Sequence, residues 1–83
     1  MDLLYFAWVR EAVGTGSERV DPPAGVTSVA ALLDWLAARS PGHAAAFADR
    51  TRLRAAVDQV FVALDAPIAD AREVAIFPPV TGG

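Results

Sequence analysis

One stretch limits what a chain of this size can build. Ser28 offers a hydroxyl suited to an N-cap, and Val29, Leu32, Leu33 and Leu36 follow it at i, i+3, i+4 and i+7. That spacing places four apolar side chains along one stripe of an α-helix, which needs an apolar surface to cover it. Ser40-Pro41-Gly42 reads as the stop signal. With 83 residues there is room for one small domain, burying roughly 60–65% of its unfolded surface. The cover for the stripe must therefore be a sheet made from the rest of the chain.

The flanking segments supply strands. Leu3 to Val9 is apolar and aromatic at both parities, as in a central strand covered in part on both faces. Arg10 to Val13 is expected to make one helical turn, and Gly14-Thr15-Gly16 a tight connection. Ser17 to Val20 alternates polar and apolar, predicting a strand paired back on the first, and Asp21-Pro22-Pro23-Ala24-Gly25 ends it. His43 to Asp49 reads as a short second helix with Ala44, Phe47 and Ala48 on its apolar face. Leu53 to Val57 and Val60 to Leu64 are strands around an Asp58-Gln59 turn; Asp65-Ala66-Pro67 ends the second. A further turn at Asp70-Ala71-Arg72 leads into a last strand, Glu73 to Phe77. Two hairpins flanking a crossover helix predict an α+β fold of the β-grasp type: a mixed sheet of about five strands packed on one main helix. A ferredoxin-like split βαβ arrangement would need a second long helix. The expected organisation is a domain over residues 1–77 and an extended, flexible tail over 78–83.

Composition excludes several function classes. The chain is 54% hydrophobic and 20% charged, with a net charge of −3 and a pI near 4.8. All seven basic residues are arginine. An acidic chain argues against nucleic acid or an anionic membrane as partner. There is no cysteine, hence no disulfide frame, thiolate zinc site or cysteine nucleophile. The run Leu3–Val9 is too short to span a bilayer or serve as a signal core. The expectation is a soluble, cytoplasmic domain.

The tail Phe77-Pro78-Pro79-Val80-Thr81-Gly82-Gly83 carries the chemistry. Gly82 and Gly83 lack Cβ atoms, so this backbone can enter a narrow channel. Pro78 and Pro79 stiffen the exit, so less entropy is lost when a partner takes up the tail. From Pro78 to Gly83 the reach is at most about 20 Å, enough to carry a terminal carboxylate into another protein's active site. A carboxylate acylates poorly by itself; activated by ATP as an acyl-adenylate, it accepts a sulfur or amine nucleophile.

This tail, with Phe6-Ala7-Trp8-Val9-Arg10-Glu11 near the start and the overall length, resembles the family of small sulfur-carrier subunits of molybdopterin synthase, ubiquitin-like in fold. The resemblance covers essentially the whole chain. One departure is Asp70-Ala71-Arg72, where the family often carries a glycine-containing acidic turn; it leaves the turn type open. The resemblance implies that an E1-like activating enzyme adenylates Gly83 and a sulfurtransferase converts it to a thiocarboxylate. Pro78, Pro79, Val80, Thr81 and Gly82 would then insert into the large synthase subunit, where Gly83 donates sulfur to cyclic pyranopterin monophosphate. It also implies a heterotetramer of two small and two large subunits. The chain would bind no cofactor itself, ATP being used by the activating enzyme, and would not be catalytic alone. The rivals are a sulfur carrier for thiamin or another pathway, a ubiquitin-like protein modifier, and a plain interaction module.

Strand alternation makes a separate expectation. Val74 and Ile76 share one face of the last strand, and Ala75 and Phe77 the other. Val60, Val62 and Leu64 likewise oppose Phe61 and Ala63. If the aliphatic sets pack under the helix, Phe61 and Phe77 lie on the open face, with Phe6, Leu4 and Trp8 joining from the first strand. Such a patch, Phe6, Phe61 and Phe77, marks a partner surface, and the resemblance implies docking through it. His43 reads as a surface or capping residue, and Trp35 as partial core. Asp58, Asp65 and Asp70 read as turn residues rather than metal ligands. Arg50, Arg52 and Arg54 read as one solvated strand edge. No Ser-His-Asp set, phosphate loop or cofactor fingerprint appears.

Overall fold

A computed structural model describes residues 1–79. The helix that anchors the fold, α2, runs Val29–Ala37, and the Ser28 hydroxyl accepts from Ala31 N at 3.1 Å. Val29, Leu32, Leu33 and Leu36 are all fully buried. Truncating any of these leucines to alanine costs about 2–5 kcal/mol in a core of this kind.

The chain order is β1 (Asp2–Tyr5), α1 (Ala7–Val13), β2 (Ser17–Arg19), α2, α3 (Pro41–Ala46), β3 (Arg54–Val57), β4 (Val60–Val62) and β5 (Glu73–Phe77). A 3-10 turn over Arg50–Arg52 precedes β3. The five strands form one sheet in the order β2-β1-β5-β3-β4. Only the β1–β5 pair is parallel, with Leu3 beside Val74 and Tyr5 beside Ile76. These four residues and Ala55 face α2 and are buried. This is the mixed β-grasp sheet, with the tail-bearing strand at its centre.

Three elements differ from the sequence reading. The first strand ends at Tyr5 rather than Val9, and α1 takes up the rest of the apolar run. The reversal is made at Ala7, whose φ of 53° breaks the extended path, and Gly14 (φ 98°) closes the helix by donating to Arg10 O. Ser40-Pro41-Gly42 starts a helix as well as following one. Ser40 is the N-cap of α3, its hydroxyl accepting from His43 N, and Pro41 opens the first turn, where a missing N–H costs nothing. On that helix Ala46 and Phe47 are buried while Ala44 and Ala48 are exposed, because Phe47 turns inward at the helix end. Finally β4 stops at Val62; beyond it, the Leu64 carbonyl accepts from Ala30 N in the first turn of α2.

The turns carry their own restraints. Asp58 and Gln59 sit at φ 48° and 71° between β3 and β4, the left-handed pair of a two-residue hairpin. The Asp58 carboxylate accepts from Arg72 N at 2.9 Å and Glu73 N at 3.0 Å, pinning the hairpin to the start of β5. Asp70, at φ 62°, supplies the left-handed residue for which a glycine is usual.

Candidate functional site: the open sheet face and the tail exit

The face of the sheet away from α2 is lined by alternate residues: Leu4 from β1, Glu73, Ala75 and Phe77 from β5, Arg54 and Ala56 from β3, Phe61 from β4. Strand register sets them side by side, Ala56 between Phe61 and Ala75, and Arg54 beside Phe77. The Phe61 and Phe77 rings lie 5.5 Å apart between centroids, tilted at 45°. Ala56 and Ala75 floor a groove whose walls include Phe6, Phe61 and Phe77, and which continues to Pro78 and Pro79. The two alanines create the hollow: a larger side chain at either position would fill it. Phe61 is 76% exposed and Phe6 49%, whereas Phe77 and the prolines are half-buried. Apolar side chains grouped in this way on open sheet mark a contact surface.

The three phenylalanines named from the sequence thus converge, although Phe6 arrives differently than expected. It is the N-cap residue of α1, in extended conformation, held against β5 by its N–H on Ile76 O at 3.3 Å. Trp8 does not join them. It lies on α1 against the edge of the core, with the Arg52 guanidinium 4.6 Å from its ring centroid. Pro78 and Pro79 border the groove, while Val80, Thr81, Gly82 and Gly83 lie outside the described residues. Ala56 was not singled out from the sequence; its parity within β3, read against Phe61, was the available signal.

The arginines do not form one edge. Arg50 caps inward, donating to Phe47 O at 2.7 Å and pairing with Asp34 at 2.7 Å. Arg52 covers Trp8, and of the three Arg54 stands beside the Phe61–Phe77 pair, at a hollow next to the groove.

The largest departure lies on the opposite side of the molecule, at His43. Its Nδ1 sits 2.6 Å from the Ser40 hydroxyl and its Nε2 2.6 Å from Glu18 Oε2. Tyr5 donates to the same Glu18 oxygen at 2.8 Å. Burial pushes the Tyr5 hydroxyl pKa up strongly, and its bond to Glu18 adds to this. For Glu18, burial raises the pKa, but the bonds from His43 and Tyr5 outweigh it and hold the carboxyl below its ordinary value. Within the chain Ser40–His43–Glu18–Tyr5, Glu18 borders a shallow groove that it shares with Asp2, Leu4, Ser17, Arg19 and Glu73, but its carboxylate is taken up by His43 and Tyr5, and Ser40 is engaged as a cap. The work of these four residues is to tie α3 to β2. Among the described residues no group of three or more His, Asp or Glu is placed to hold a metal ion. Among the described residues no helix is long and apolar enough to cross a membrane.

Residues 3–83 match the ThiS family. The chain is 48% identical over 81 residues to the molybdopterin synthase sulfur carrier subunit of Escherichia coli K12, covering 98% of this chain and 96% of that one. It is 29% identical to the protein of the same name from Haemophilus influenzae, covering 100% and 99%. Among solved structures it resembles the small archaeal modifier protein 1 of Haloferax volcanii, at a TM-score of 0.74 and 29% identity over 96% of this chain and 97% of that one. A putative molybdopterin converting factor subunit 1 from Pyrococcus furiosus is similar at a TM-score of 0.74 and 27% identity, covering 95% of each.

Proposed function

This chain belongs to the ThiS family, and from that premise we propose that it is the sulfur carrier subunit of a molybdopterin synthase. The observation that carries this reading is identity of 48% to such a subunit along nearly the whole of both chains. The fold supports it: the central strand β5 ends at Phe77 and leads directly into Pro78 and Pro79, from which the tail would be delivered.

In this reading the Gly83 carboxylate is the reacting group. A carboxylate oxygen attacks the α-phosphorus of ATP on an E1-like enzyme and pyrophosphate leaves; a sulfurtransferase, with a thiol as reductant, then supplies sulfur at the sulfide level, which attacks the acyl carbon and displaces AMP. One oxygen of the terminus is thereby exchanged for sulfur, giving a thiocarboxylate. Pro78, Pro79, Val80, Thr81 and Gly82 thread this group into the large subunit, where its sulfur bonds to the pterin precursor of molybdopterin and water then cleaves the acyl–sulfur bond, returning Gly83 to a carboxylate. A dithiolene needs two sulfurs, so the carrier dissociates, is reloaded and returns; two carriers on a dimer of large subunits suit that cycle. Phe6, Phe61 and Phe77 provide the docking contact. The chain contributes no catalytic group beyond its own terminus and binds no cofactor; ATP belongs to the activating enzyme.

Likeness to an archaeal modifier protein favours a second reading, conjugation through Gly83 to lysines of other proteins. The higher identity to carrier subunits weighs against it.

Intact mass spectrometry after incubation with ATP, the activating enzyme and a sulfur source tests the proposal. A gain equal to one oxygen replaced by sulfur, mapped to Gly83 and lost on deleting Gly83, is the expected result. An unchanged mass with active enzymes, or isopeptide adducts in extracts, would overturn it.

A further inference from the structure

The open face is not uniformly apolar. Its charges are segregated along the strands. At the end where β5 begins stand Glu73 and Asp2, adjacent in register, and Asp2 already pairs with Arg19 at 3.3 Å. At the end where the tail departs stands one cation, Arg54, opposite Phe77 in register. Arg54 is exposed and borders the Phe61–Phe77 contact. Its Nη1 donates to Thr51 O at 3.2 Å and to Leu53 O at 2.8 Å, so the side chain is tethered on one side. Among the described residues no carboxylate pairs with it.

A guanidinium held in place, flanked by an aromatic pair and lacking a counter-charge, is arranged to take a carboxylate from outside. Arginine offers a planar fork of donors to an acidic side chain, and its position is fixed before the partner arrives. Resting on the carrier function proposed above, we infer that Arg54 is a specificity-determining residue for docking. It meets an acidic side chain on the large subunit, beside the mouth of the channel that receives the tail. The terminus itself reacts up to about 20 Å away, so Arg54 does not touch the reacting atoms. It sets the angle at which the tail enters.

The test uses the full chain and its cognate large subunit, with the dissociation constant measured over a range of salt. Replacing a charge at the edge of an interface acts on association and salt dependence. The expected result for Arg54→Gln is roughly a three- to fivefold weaker complex with a flatter salt dependence. Arg54→Glu should be weaker still, and Arg54→Lys, which keeps the charge but loses the fork, should recover the salt dependence and only part of the affinity, which a purely structural role would not predict. Unchanged melting temperatures would show that the fold is intact. Binding by Arg54→Gln within twofold of wild type, with the same salt slope, overturns the inference. So does tighter binding, which would assign Arg54 to the chain's own terminal carboxylate. If wild type binds and Phe61→Ala weakens it while Arg54→Gln does not, only this inference fails. If wild type does not bind at all, the carrier reading fails with it.

Discussion

At Gly42 the missing side chain lets two helices touch. A Cβ there would lie 2.8 Å from the Ala12 carbonyl oxygen and 3.1 Å from that of Val13, and neither backbone atom can swing aside. Gly42→Ala should therefore cost about 1–3 kcal/mol, read as a drop of several degrees in the thermal midpoint; an unchanged midpoint would mean that α3 slides freely on α1. The sequence presents Gly42 as a helix stop, because Pro-Gly after a leucine stripe is the usual terminator and a contact thirty residues back leaves no local trace. Ala7 is similarly silent. Its left-handed φ of 53° is a costly conformation for a residue with a Cβ, about 1–2 kcal/mol, and is held by the helix and strand on either side. That one dihedral carries Phe6 to the groove and sends Trp8 to the core edge.

The elements were unequally legible. α2 and β5 announce themselves, since one repeats at helical spacing and the other is bounded by a turn and two prolines. α1 hides inside an apolar run that suits a strand equally well; its clue was Gly14, the left-handed cap at its end. The tie between β2 and α3 could not be read at all, because Glu18 and His43 are 25 residues apart and neither stands in a motif. That tie has a pH consequence. Glu18 has a depressed pKa in the folded chain, so its contribution is present above its ordinary value of 4.5 and is lost as the pH falls below it. Tyr5 is shifted the other way, so its contribution is present below 10.0 and is lost at more alkaline pH. Glu18→Gln should lower stability at neutral pH and make the acid-side loss shallower in denaturant titrations at several pH values. Parallel acid limbs for variant and wild type would show that another carboxylate governs it.

Taken as a whole, the molecule separates its stability from its contacts. The core lies on one side of the sheet, under α2, and the groove on the other, floored by alanines. Substitutions in the walls should therefore uncouple the two. Phe61→Ala should leave the melting temperature almost unchanged, because the ring is already 76% exposed, and should weaken binding to the large subunit by about tenfold or more. A large loss of thermal stability with normal binding would assign the ring to the fold instead. The central position of β5 has a mechanical meaning as well. A pull on Pro78 with the body held is borne by the ladders to β1 and β3 together, and their bonds lie across the direction of load. They must shear at once, whereas an edge strand pulled sideways would unzip one bond at a time. Single-molecule stretching through Pro78 should show one abrupt rupture; gradual peeling of β5 would contradict this. In the carrier role proposed above, a body drawn by its tail out of a tight channel would come away folded, ready to be used again.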